Sequence, residues 1–306
     1  MSPIDSVPRA IQRIVPTTRT LEGAGFVVRR PFPTAKLADV DPFLLLDHLG
    51  PFDAPPGEAK GAPDHPHRGF ETVTYVLEGE LEHKDSVGNA GHLRTGDVQW
   101  MTAGSGVVHS EMPSTRVQKE GGRIHGIQLW VNLPRASKMT RPRYQEIPSA
   151  RIPHVSVDGV TVRVIAGEAY GKSAVIETHT PILYFHVSLA AGARFEERVP
   201  DDFTLMAYVI QGEAHLPTAA DRATSDAPSR ARTDARSRVR EGELAIFTPT
   251  GPRIALAADT ATELLVIGGR PLHEPVARYG PFVMSTQQEI VQAFEDYRAG
   301  RMGHIA

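Results

Sequence analysis

Asp64-His65-Pro66-His67-Arg68-Gly69-Phe70-Glu71-Thr72-Val73-Thr74-Tyr75-Val76-Leu77-Glu78-Gly79-Glu80 carries both the fold and the chemistry of this chain. In its second half Val73, Tyr75 and Leu77 point one way and the intervening side chains the other, the period-2 alternation of a half-buried strand. Ile127-Gln128-Leu129-Trp130-Val131-Asn132-Leu133 repeats the pattern, with four aliphatics on one face and Gln128, Trp130 and Asn132 on the opposite one. Short alternating runs of this kind, punctuated throughout by glycine and proline, predict an all-β sandwich or barrel. Helical spacing is convincing only near the end. There Thr286-Gln287-Gln288-Glu289 forms a capping box ahead of Ile290, Ala293, Phe294 and Tyr297, and Gly300 is placed to stop the helix.

The quoted stretch also has an echo. Tyr75-Val76-Leu77-Glu78-Gly79-Glu80 recurs as Tyr208-Val209-Ile210-Gln211-Gly212-Glu213, at an offset of 133. Arg94-Thr95-Gly96-Asp97 matches Arg240-Glu241-Gly242-Glu243 at an offset of 146, so the second copy carries 13 extra residues between these landmarks. The extra residues lie in Thr218 to Arg240, rich in Ala, Ser, Asp and Arg, with Val239 as the one strong hydrophobe; the segment reads as a disordered loop. Its arginines (Arg222, Arg230, Arg232, Arg236, Arg238, Arg240) are diluted by Asp221, Asp226 and Asp234 and read as a solvated face. Two copies of one β unit predict two similar domains: residues 1–150, residues 151–284, and a helix and tail over 285–306, with the join inside Pro134 to Pro153.

Composition narrows the chemistry. The 306 residues contain no cysteine, which removes disulfides, thiolate metal sites and cysteine nucleophiles, and leaves thirteen histidines as nitrogen donors. A net charge of -3 offers no general attraction to nucleic acid or anionic membrane. No stretch approaches the roughly 20 apolar residues of a membrane span, and the first thirty residues lack an apolar signal core, so a cytoplasmic protein is expected.

Side chains at i and i+2 of a strand share a face. His65-Pro66-His67 therefore presents two imidazoles together, and His109-Ser110-Glu111 an imidazole and a carboxylate. If the two segments lie side by side, His65, His67, His109 and Glu111 can converge on one ion and leave one or two positions open. Such a nitrogen-and-oxygen set suits iron, manganese, nickel, copper or zinc better than calcium or magnesium. In the second copy the offsets place Arg198, Pro200, Ala255 and Ala257 at those positions, so that domain should hold no metal. Gln128, Trp130, Phe43, Phe70 and Met101 are candidates for the wall of a cavity above the ion.

The run Asp64 to Thr72, then Gly96-Asp97-Val98-Gln99-Trp100-Met101-Thr102-Ala103-Gly104, then His109-Ser110-Glu111-Met112-Pro113 strongly resembles the pirin family. Asp41-Pro42-Phe43-Leu44-Leu45, Gly126 to Pro134 and Tyr279 to Met284 resemble its other signatures, so the likeness spans about Glu22 to Gly300. It implies two tandem cupin barrels, jelly-roll-like, and a mononuclear Fe(II) held by His65, His67, His109 and Glu111. Manganese, nickel, copper, zinc or cobalt are also compatible with these donors. Glu71, where cupins in general often place a ligand, is expected to be a strand residue or a partner of the ligands. The resemblance further implies a quercetin 2,3-dioxygenase-like activity on a flavonol or similar small aromatic, with Glu111 taking up the proton of the substrate hydroxyl. A non-catalytic redox sensor acting through a protein partner would use the same site, as would, less readily, a zinc hydrolase or isomerase. No direct nucleic-acid motif is present, and two fused barrels suit a monomer.

Overall fold

The alternating runs become antiparallel strands, and the strands divide between two units that repeat one topology. The computed structural model describes residues 7–217 and 237–305. One unit is built from Thr18–Arg151 together with the segment from Leu272 onward; the other from the segment up to Thr17 together with Ile152–Pro271.

In the first unit a seven-stranded sheet runs in the order Arg143–Ile147, Val98–Thr102, Phe70–Glu78, Gly122–Asn132, Phe43–Ala54, Phe26–Phe32, Thr18–Glu22. A four-stranded sheet has the order Ala62–His67, Val107–Pro113, Glu80–Asp85, Ala90–Arg94. The second unit repeats this arrangement. Its seven strands are ordered Ile11–Pro16, Glu243–Phe247, Thr204–Gln211, Thr262–Gly269, Ile182–Leu189, Val160–Ala166, His154–Val157. Its four are ordered Arg194–Arg198, Arg253–Ala257, Glu213–His215, Arg238–Arg240. Register agrees with the repeat: Tyr75 pairs with Val98, and Tyr208 with Leu244. The two units are the two cupin domains, each split between two open sheets. No barrel closes among the described residues, because the chain changes sheets at sharp turns instead of continuing one ladder. Gly69, at φ +88°, makes one such turn between His67 and Phe70, and a Cβ there would collide with the Val283 carbonyl.

Three details depart from the sequence reading. The N-terminal strand Ile11–Pro16 pairs with Glu243–Phe247, so it belongs to the second unit and not with residues 18–150. Arg9 secures it: the buried guanidinium donates to the carbonyls of Phe203 (2.6 Å), Pro200 (2.7 Å) and Gly251 (2.7 Å). The C-terminal segment in turn joins the first unit, where buried Lys138 donates to Asn132 Oδ1 (2.7 Å), Gly69 O (2.8 Å) and Val283 O (3.1 Å). The edge of the first unit's large sheet is capped by its own Arg143–Ile147, whereas the same edge of the second takes a strand from the far end of the chain. Second, most of the expected loop lies outside the described residues, but its end, Arg238–Arg240, is a strand. Val239 is buried there, and Arg238 and Arg240 pair with Glu213 at 2.6 and 2.9 Å.

Third, the register shifts the comparison of the two copies. His65 lies opposite His109, and the matching pair is Glu196 opposite Ala255, not Arg198; His67 corresponds to Arg198, not Pro200. The connection that follows, Val199 to Phe203, is longer in the second copy than Arg68-Gly69, which displaces a count made along the sequence. Glu196 is ion-paired with Arg194 and Arg253. Among the described residues the second unit holds no metal-ligand group, and its interior is a continuous apolar core that includes Phe185, Phe195, Leu205, Leu256 and Val266.

The helix Gln287–Arg298 has the expected capping box, with Thr286 and Glu289 bonding reciprocally, and is the one helix of seven residues or more among the described residues. No helix there is long and apolar enough to cross a membrane. Arg9→Ala would strand several buried carbonyls, so urea unfolding should show a loss of about 3 kcal/mol for the second unit.

Candidate metal centre

The Ala62–His67 strand sits at the edge of its sheet, the position that tolerates Pro66, which has no N–H to give to a ladder. Its neighbour is Val107–Pro113, with His65 opposite His109 and His67 opposite Val107. The three imidazoles therefore meet: ring centroids are 4.4 Å apart for His65 and His109, 4.6 Å for His65 and His67, and 5.0 Å for His67 and His109. One nitrogen from each lies within 4.8 Å of the others, the one cluster of this kind among the described residues.

Tautomers follow from the outer contacts. A carbonyl oxygen can only accept, so His65 Nδ1 donates to Pro63 O at 2.7 Å and His67 Nδ1 donates to Pro281 O at 3.3 Å. Their Nε2 atoms stand 3.0 Å apart, close enough for one transition-metal ion to take both as donors. His109 adds a second sign, since it is fully buried and neither of its ring nitrogens has a hydrogen-bond partner. Burial, then the neighbouring imidazoles, hold His67 and His109 well below the usual histidine range, which keeps both neutral and able to donate a lone pair. The three histidines fit a transition-metal ion.

Glu111 stands apart from this cluster. A bulge between His109 and Glu111 shifts its register, and its carboxylate accepts from Thr74 Oγ1 (2.6 Å) and Gln128 Nε2 (3.0 Å). It lines the same cavity of roughly 570 Å³ as His65 and His67. Gln128 and Trp130 line that cavity too; Phe43, Phe70 and Met101 are core residues away from it. Glu71 is fully buried and accepts from Thr102 Oγ1 at 2.7 Å, outside the histidine group.

Several residues of the site were not legible in the sequence. Thr74 is on the quoted strand and pairs with Gln128, yet nothing in its type marks it. The Pro281 carbonyl has no residue identity at all, and it comes from 214 positions away. Arg30 and Asp47 form a bidentate pair on the cavity wall, 2.7 and 2.5 Å, joined by Glu22 at 2.5 Å.

A double cupin with three metal-competent histidines in one unit and an apolar core in the other defines the class. The chain belongs to the pirin family: residues 25–131 match Pirin and residues 184–303 match the Pirin C-terminal cupin domain. It is 40% identical over 303 residues to a pirin-like protein of Solanum lycopersicum, covering 99% of this chain and 96% of that one. It is also 40% identical over 283 residues to pirin of Homo sapiens, covering 92% and 90%. The crystal structure of a quercetin 2,3-dioxygenase from Acinetobacter baumannii superposes with a TM-score of 0.87 at 36% identity, over 98% of this chain and all of that one.

Isothermal titration with Fe(II) or Ni(II) under anaerobic conditions should show one ion per chain. His109→Ala should abolish binding, and Glu111→Gln should weaken it roughly 10–100-fold. Glu71 supplies a pH test away from the ligands. Burial pushes its pKa up from 4.5 to about 7, against the opposing Thr102 hydroxyl. Its proton is bound more tightly in the folded state, so this contribution to stability is complete below pH 4.5 and is lost as pH rises through about 7. Unfolding free energy should fall by up to about 3 kcal/mol across that window, and Glu71→Gln should remove the slope.

Proposed function

We propose that this protein is a mononuclear iron protein with flavonol 2,3-dioxygenase-type activity, in which His65, His67, His109 and Glu111 hold Fe(II) beside a cavity for a small aromatic substrate. The observation that carries this reading is the convergence of three imidazoles, two of them on the wall of a cavity of about 570 Å³, within the usual size of small-molecule sites. When bound, the ion supplies Lewis acidity toward a substrate oxygen and one-electron chemistry toward O₂.

The chain's own groups supply the rest. Leu45, Leu49, Ile127 and Trp130 give the cavity apolar walls that exclude water from a flat ring. Thr74 and Gln128 hold the Glu111 carboxylate on the cavity wall, where it can take the proton of an acidic ring hydroxyl. The carbonyls of Pro63 and Pro281 keep His65 and His67 in the tautomer that donates through Nε2.

Quercetin and O₂ added to the iron-loaded protein should release carbon monoxide, measured by gas chromatography or haemoglobin trapping. His67→Ala should abolish turnover, and Glu111→Gln should cut kcat roughly 100-fold, the usual worth of a general base. Stoichiometric iron without carbon monoxide would overturn the dioxygenase reading and favour the redox sensor on the same ligands.

A further inference from the structure

Among the described residues two cations on the cavity wall, Lys60 and Arg278, have no ion pair, and Arg278 is the one beside the histidine cluster. Arg278, on the short strand Ala277–Tyr279, lines the cavity three residues ahead of Pro281, whose carbonyl holds His67. Its guanidinium carbon lies 5.0 Å from the centroid of the Trp130 ring, and that ring packs on Phe70 at 4.3 Å and edge-on to His67 at 5.1 Å. Arg278 is thus held in place beside the histidine cluster. Of the five N–H donors of a guanidinium, one is engaged, Nη1 with the Leu44 carbonyl at 2.9 Å. Among the described residues no carboxylate comes within 4.0 Å of it. Three acids act on it from further off: Asp47 and Glu22, which are ion-paired with Arg30, and Asp39. Burial, then the like charge of Arg30, lowers the Arg278 pKa, so an anion arriving at this point would relieve an existing cost.

We propose that Arg278 is a specificity-determining residue that receives the oxyanion of an aromatic substrate, a ring carboxylate or a phenolate, next to the metal centre. This rests on the cavity being the substrate site, as argued above. A guanidinium pairs with a planar oxyanion through parallel hydrogen bonds, whereas a neutral group of the same shape leaves those donors unfilled.

The test compares matched probes on the metal-loaded protein by quenching of tryptophan fluorescence: 2-naphthoate against 2-naphthamide, and 4-nitrophenolate against 4-nitroanisole. The wild type should bind at least one anion roughly tenfold or more tightly than its neutral partner, and Arg278→Gln should remove most of that preference. Arg278→Lys, which keeps the charge without the fork, should retain part of it. Whichever pair responds identifies the anion as carboxylate or phenolate. Because the readout is a ratio within each variant, a general loss of affinity or stability does not imitate it. An unchanged ratio in Arg278→Gln, or no preference in the wild type, overturns the proposal. Carbon monoxide release from quercetin with an unchanged ratio overturns the assignment of Arg278 alone. An Arg278-dependent preference without turnover overturns the dioxygenase reading and leaves this assignment standing.

Discussion

Two imidazole nitrogens, Nε2 of His65 and Nε2 of His67, stand 3.0 Å apart. On its far side each ring is held by a backbone carbonyl, Pro63 for His65 and Pro281 for His67. The fully buried His109 beside them has no hydrogen bond to either ring nitrogen. A cation bound there would turn these nitrogens into ligands, and its binding would be linked to the folding of this region.

The rest of the unit supports that contact. The C-terminal segment supplies the Pro281 carbonyl, and it is tied down by Lys138 at Val283 and by the ion pair of Arg68 with Asp296 at 2.7 Å. Arg68 directly follows His67, so the helix that ends the chain steadies the strand that opens the site. The second unit shows what the same topology does without such a site. Where the first has His65, His67 and His109, it has Glu196, Arg198 and Ala255, and its interior holds a continuous apolar core. One β unit has been used twice, once around an apolar core and once around a cavity with a polar wall.

Much of this was legible in residue types and spacing. Alternation in Val73 to Leu77 and in Ile127 to Leu133 marked strands that pair in the structure, Ile127 with Tyr75. The repeat at offset 133 marked the equivalence of Phe70–Glu78 and Thr204–Gln211. The capping box at Thr286 needed only local rules. The i, i+2 pairing of His65 and His67 and its match with His109 could be inferred because a strand's face is a local property. Glu111 was harder: the bulge that separates its register from that of His109 comes from pairing with another strand, which spacing along the chain does not encode.

What the sequence by itself determined is therefore the three histidines that meet, the β architecture and the duplication, since each depends on side-chain identity at short, regular intervals. Tertiary structure alone decided which unit each terminus joins, which carbonyls orient the histidines, and that Arg278 reaches the Trp130 face. The physical reason is the same in each case. These are contacts between residues more than a hundred positions apart, or contacts made by backbone atoms that every residue shares, and neither leaves a signature in a linear pattern.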